Sequence, residues 1–129
     1  MPADFNYSGV AKMIDHSLLN PTLTWNDLEQ GISLALAYDV ASVCIMPYAL
    51  KHCAQRLRGS TVRASTTIRV PHGGHATTVK LAEVNQALQD SGQELDIVVN
   101  ISKFSAAIGR TSKKNFAPLS TRRMPLAKK

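Results

Sequence analysis

Four short apolar runs alternate with segments of helical period along this chain, and that alternation limits the fold more than any other feature. Residues 14–19, 41–46, 61–68 and 94–101 read as strands, being short, rich in Val, Ile, Leu or Thr, and closed by Pro or Gly signals. Between them lie three helical segments. The first opens at Thr24-Trp25-Asn26-Asp27, an N-cap with an acid in the first turn, and runs to about residue 38 with Leu28, Ile32 and Leu36 on one side. The second covers about 48–58 and stops at Gly59-Ser60, and the third covers about 77–89 and stops at Ser91-Gly92. A short helix over about 8–13 precedes the first strand. The order β-α-β-α-β-α-β predicts parallel strands joined by right-handed crossovers.

Two architectures share that order. A doubly wound nucleotide-binding sheet favours a glycine-rich turn after its first strand, and Leu18-Leu19-Asn20-Pro21-Thr22 contains no glycine. A (β/α)₈ barrel carries its chemistry at the C-terminal ends of its strands, but it takes ~250 residues, and four strands supply half of it. The chain has 129 residues and 44% hydrophobic content, enough for one small domain with a buried core. No apolar run reaches the ~18 residues of a membrane span. The N-terminus MPADFNYSGV lacks a secretory pattern, so the expected address is cytoplasmic, and Cys44 and Cys53 are expected as free thiols.

The formal charge of +6 is unevenly placed. Residues 1–102 hold seven Lys/Arg and all nine acids, whereas residues 103–129 hold eight Lys/Arg and no acid. The basic segment has no helical or strand period, which predicts an irregular tail. Its pairs Lys113-Lys114, Arg122-Arg123 and Lys128-Lys129 could neutralise phosphates. With Phe104 and Phe116 as its aromatics it offers little for base stacking, and nucleic-acid binding ranks last among the readings.

One residue breaks the apolar pattern of the fourth strand. Asp96 sits among Leu95, Ile97, Val98 and Val99, where a carboxylate is costly unless it is bonded or the strand is half exposed. From the residues alone, a structural hydrogen bond and a catalytic role stand about even. Asp15 before His16 could equally cap backbone amides, and Cys44 reads first as a small core residue. His72 and His75 flank two glycines, but with His52 and Cys53 on another element no metal-ligand spacing emerges. Lys51 and Lys80 fall within helices and are expected to be solvated.

Taken together, four motifs in order resemble one family. Ile14-Asp15-His16-Ser17-Leu18-Leu19-Asn20-Pro21-Thr22 is similar to the opening motif of deoxyribose-phosphate aldolases, and Ala41-Ser42-Val43-Cys44-Ile45-Met46-Pro47 to their second strand. Thr66-Thr67-Ile68-Arg69-Val70-Pro71-His72-Gly73 is similar to a third-strand motif that carries Gly-Phe before the proline, and ELDIVVNI resembles the fourth strand. The resemblance covers about residues 8–102. It implies an α/β fold, a partial TIM (β/α)₈ barrel of about four parallel strands over residues 1–102, followed by an unrelated basic tail over 103–129.

For function, the resemblance implies a class I aldolase, a lyase that converts 2-deoxy-D-ribose 5-phosphate to glyceraldehyde 3-phosphate and acetaldehyde in deoxyribonucleotide catabolism. It implies no metal and no cofactor. Asp96 matches the proton relay, while Asp15 and Cys44 match substrate-pocket positions. The chain departs from the family at Arg69-Val70, in place of Gly-Phe, and at Met46, where asparagine is common. The strands that would carry the Schiff-base lysine, its partner lysine and the phosphate loops have no match in the 129 residues. A truncated half barrel, inactive alone, is therefore expected, with a frameshift or alternative exon as the source of the tail, and its standing as an enzyme is left open. Open strand edges and an exposed apolar interior face predict self-association. The rival readings are a non-catalytic interaction module and a basic-tail binder of nucleic acid or acidic surfaces.

Overall fold

The computed structural model describes residues 6–107. The chain enters through a one-turn helix α1 (Tyr7–Ala11), whose N-cap Asn6 accepts a hydrogen bond from the Gly9 amide at 2.8 Å. Strand β1 (Asp15–Leu18) follows, then α2 (Trp25–Tyr38), β2 (Ser42–Ile45), a 3₁₀ turn (Pro47–Ala49) leading into α3 (Leu50–Arg56), and β3 (Arg63–Ile68). Helix α4 (Thr77–Gln89), β4 (Glu94–Ile97) and α5 (Ile101–Ala107) complete the described chain. All four strands lie in one parallel sheet in the order β1-β2-β3-β4.

Local signals and tertiary packing agree along most of this path. Thr24 and Asp27 form a full capping box, each side chain bonding the other's backbone amide, and α2 starts at the next residue, Trp25. Asp39 ends α2 in the left-handed region (φ 50°), and its carboxylate takes the Lys12 ammonium at 2.6 Å. Lys12 also donates to the Val40 carbonyl and the Thr61 hydroxyl, tying α1 to the segments that feed β2 and β3.

One face of the sheet is apolar and carries the core. Leu18, Val43, Ile45, Ala64 and Ile68 pack against Leu28, Ile32 and Ala35 of α2, Leu50 and Cys53 of α3, and Ala87 of α4. The opposite face differs from expectation. Because directly paired residues of parallel strands share a face, the register Ser17↔Cys44↔Ser65 and Thr67↔Asp96 lines it with small polar groups. The exposed apolar interior predicted from the strand sequences is therefore absent; the period-two alternation within them puts the apolar half under the helices.

Two further expectations are revised. Strand β4 ends at Ile97, four residues short of the predicted end: the Val98 amide still bonds the Ile68 carbonyl of β3, and the chain then turns into α5. Helix α5 also runs across residue 102, so the beginning of the segment read as an irregular tail is helical. The remainder of that tail, residues 108–129, lies outside the described residues. Among the described residues no helix is long and apolar enough to cross a membrane.

Candidate active site

The polar face of the sheet brings together the three residues singled out by the sequence. Asp15 opens β1, Cys44 is the third residue of β2, and Asp96 is the third residue of β4. A carboxylate oxygen of each acid and the Cys44 thiol lie within 4.8 Å of one another. Cys44 Sγ donates to Asp96 Oδ2 at 3.4 Å, and the Ser42 hydroxyl donates to Asp15 Oδ1 at 2.5 Å.

Asp96 thus occupies a buried-looking strand because that strand has one exposed side. The burial pattern of β4 is half-buried except at Asp96, which is exposed. Cys44 is 2% exposed, yet it stands outside the hydrophobic cluster that holds Cys53. Its thiol is pushed up to about 11, chiefly by burial and further by the Asp96 hydrogen bond and the nearby carboxylates; a Ser65 hydrogen bond acts the other way. Cys44 is therefore a neutral thiol at physiological pH, suited to donate a hydrogen bond to Asp96 and poorly suited to act as a nucleophile.

The hydroxyls of Ser42, Ser65 and Thr67 complete this face, all three being buried. They were missed as site residues, although Ser42-Val43-Cys44 and Ser65-Thr66-Thr67 alternate small polar groups with period two, the signal that marks one face. Two acids and a thiol fall short of the four-ligand set of a structural zinc site. His72 and His75 are exposed in the loop between β3 and α4 and do not join the cluster.

One sequence expectation about cations is corrected. Lys80 is 6% exposed, not solvated: it faces inward from the first turn of α4 and donates to the Val98 carbonyl at 2.7 Å, just beyond β4. Lys51 is exposed as expected. Arg69 occupies a backbone position with φ 59°, which favours the glycine of the family motif. Its guanidinium turns to Glu83 of α4 at 2.7 Å, so the long cation braces a helix and does not enter the polar face.

No family model matches the chain. It is 64% identical over 101 residues to the deoxyribose-phosphate aldolase of Rhodopirellula baltica, covering 78% of this chain and 42% of that protein. Over 78% of its length, the chain is similar to deoxyribose-phosphate aldolases. The structure agrees: a candidate deoxyribose-phosphate aldolase from Coccidioides immitis superposes with a TM-score of 0.75 at 29% identity, over 78% of this chain and 40% of that one. The Aeropyrum pernix deoxyribose phosphate aldolase, described as a tetramer, gives 0.67 at 27% identity over 76% and 42%. The chain therefore spans about two fifths of the length of the aldolases it matches. The four-stranded sheet is a partial TIM barrel, and the polar face is the part of the barrel interior that these strands supply.

Proposed function

We propose that this chain supplies part of an active site that cleaves 2-deoxy-D-ribose 5-phosphate to glyceraldehyde 3-phosphate and acetaldehyde by a Schiff-base route. The observation that carries the reading is the convergence of Asp15, Cys44 and Asp96 from three strands onto one polar face. In this reading Asp96 relays a proton, through a water, between substrate carbon and the nitrogen of a lysine held on strands beyond these four. Cys44 orients the Asp96 carboxylate through its S–H, and Asp15, fixed by Ser42, bonds a substrate hydroxyl. Among the described residues every lysine is committed elsewhere or exposed on a helix: Lys12 to Asp39, Lys80 to Val98, with Lys51 and Lys103 at the surface. In this reading the chain alone is inactive, and its activity requires the remaining strands of a barrel.

The proposal includes a cytoplasmic setting, a half-barrel unit ending near residue 102, a basic tail beyond it, and self-association through the open sheet edges. Complementation tests the chemistry. Mixed with the portion of the Rhodopirellula baltica aldolase that it does not match, the chain is expected to restore deoxyribose 5-phosphate cleavage. Asp96→Asn should then lower turnover by at least about a hundredfold, the lower range for loss of a general acid–base group, while assembly is unchanged. Undiminished turnover in the Asn variant would remove Asp96 from the mechanism.

A further inference from the structure

The surfaces left free by the four-stranded sheet are complementary to one another. The sheet is open at β1 on one side and at β4 on the other. Outside β1, between α1 and α2, lies an apolar groove of about 240 Å³ lined by Tyr7, Val10, Ile14, His16, Leu34 and Tyr38. Four of these side chains, Val10, Ile14, Leu34 and Tyr38, are 45–52% exposed. Within the groove His16 Nε2 is shielded from solvent and has no hydrogen-bond partner, an arrangement that costs stability until a partner arrives.

Elsewhere in the sheet a helix lies across two of the three pairs of neighbouring strands: α2 touches both β1 and β2, and α3 both β2 and β3. The groove stands where the next such helix would lie if the sheet continued past β1. At the other edge the chain has a helix without a seat. Helix α5 follows β4 directly, and it presents Ile101 and Phe104, 53% and 48% exposed, with Ser105 on the same side at the i, i+3, i+4 spacing.

We infer that a second copy of this chain fills the groove. Two chains join β4 of one to β1 of the other at both ends, closing an eight-stranded barrel, and each α5 lies in its partner's groove between α1 and α2. The inference rests on the self-association proposed above and names the surfaces that produce it. Four strands from each copy give the eight of the barrel, and a two-fold arrangement uses both open edges at once. Ile101 and Phe104 fill the apolar groove, and the Ser105 hydroxyl meets His16 Nε2. Both Asp15–Cys44–Asp96 clusters then face one lumen, where their carboxylates repel, so added salt strengthens the pairing.

Charge exchange tests this arrangement on the full chain. Sedimentation velocity is expected to show a monomer–dimer equilibrium. Leu34→Lys and Phe104→Glu should each weaken the dimer by at least about tenfold, because each places a charge in the apolar contact. An equimolar mixture of the two variants should recover a heterodimer, since the introduced ammonium of one chain then faces the introduced carboxylate of the other and the second contact stays wild type. Both side chains are about half exposed, and unchanged circular dichroism melts would show that folding is intact. A dimer indifferent to both substitutions, or no recovery on mixing, overturns the groove assignment while leaving self-association standing. A chain that stays monomeric and associates only with the unmatched portion of the Rhodopirellula baltica aldolase overturns both, and leaves the aldolase reading untouched.

Discussion

At the scale of single residues, the site is governed by which side of a strand a group occupies. Asp96 and Cys44 are neighbours through a hydrogen bond, though 52 positions apart in sequence, because β4 and β2 flank β3 and their third residues turn to the same face. The two cysteines illustrate how environment separates identical groups. Cys44 borders the carboxylates and is raised to about 11, whereas Cys53 lies in the helix-side core and is raised to about 12, mainly by burial. Relative to a free thiol near 9.0, Cys44 holds roughly a hundredfold less thiolate at neutral pH. Iodoacetamide at pH 7.5 should therefore label neither thiol appreciably in the folded chain, and both readily in denaturant. Rapid labelling of Cys44 under native conditions would contradict the neutral-donor role. The types of Asp15, Cys44 and Asp96 were legible from the chain; their convergence was implied by the family resemblance alone, since it depends on register and on crossovers that no local spacing records.

At the scale of elements, caps and close approaches place the loops that frame the polar face. Gly73 has φ 62°, and a Cβ there would collide with the Val99 carbonyl oxygen, so the loop from β3 to α4 rests directly on the segment after β4. Gly73→Ala should cost about 2 kcal/mol or more. Gly74→Ala, whose added methyl meets nothing within 4 Å, serves as a near-neutral control in denaturant unfolding. Acid should loosen the two ends of α2. Asp39 is held below its ordinary 3.8 first by the Lys12 hydrogen bond and then by Thr61, and Asp27 is lowered by Thr24. A carboxylate depressed in the folded state contributes stability that is complete above the unfolded value and lost as pH falls through the folded one. The melting midpoint should thus be level near neutrality and decline below about pH 4, with Asp39→Asn flattening that decline. The start of α2 was readable from its cap and the end of α4 from the Ser91-Gly92 stop, because those signals are local. Lys80 was not: its direction depends on the Val98 carbonyl, which arrives from another element, and period alone treats a helical lysine as solvated.

At the scale of the whole molecule, alternation of strand and helix was enough to indicate parallel strands and the family resemblance selected a partial barrel, while the polarity of the interior required knowing which half of each strand lies under the helices. That polarity alters the view of association. A half barrel with a polar interior is not driven together by its open face; in the proposed pairing the contact falls to the free edges of β1 and β4, with the apolar groove beside α1 and the uncovered Ile101 and Phe104.

The central claim is that these strands hold the acid side of an aldolase site without its nucleophile. The most direct measurement is intact-mass spectrometry after borohydride treatment with deoxyribose 5-phosphate, performed on the chain alone and after mixing with the unmatched portion of the Rhodopirellula baltica aldolase. The account predicts an unchanged mass for the chain in both samples and a reduced Schiff-base adduct on the complementing polypeptide. An adduct on any lysine of this chain would show that it carries a nucleophile of its own and would contradict the account.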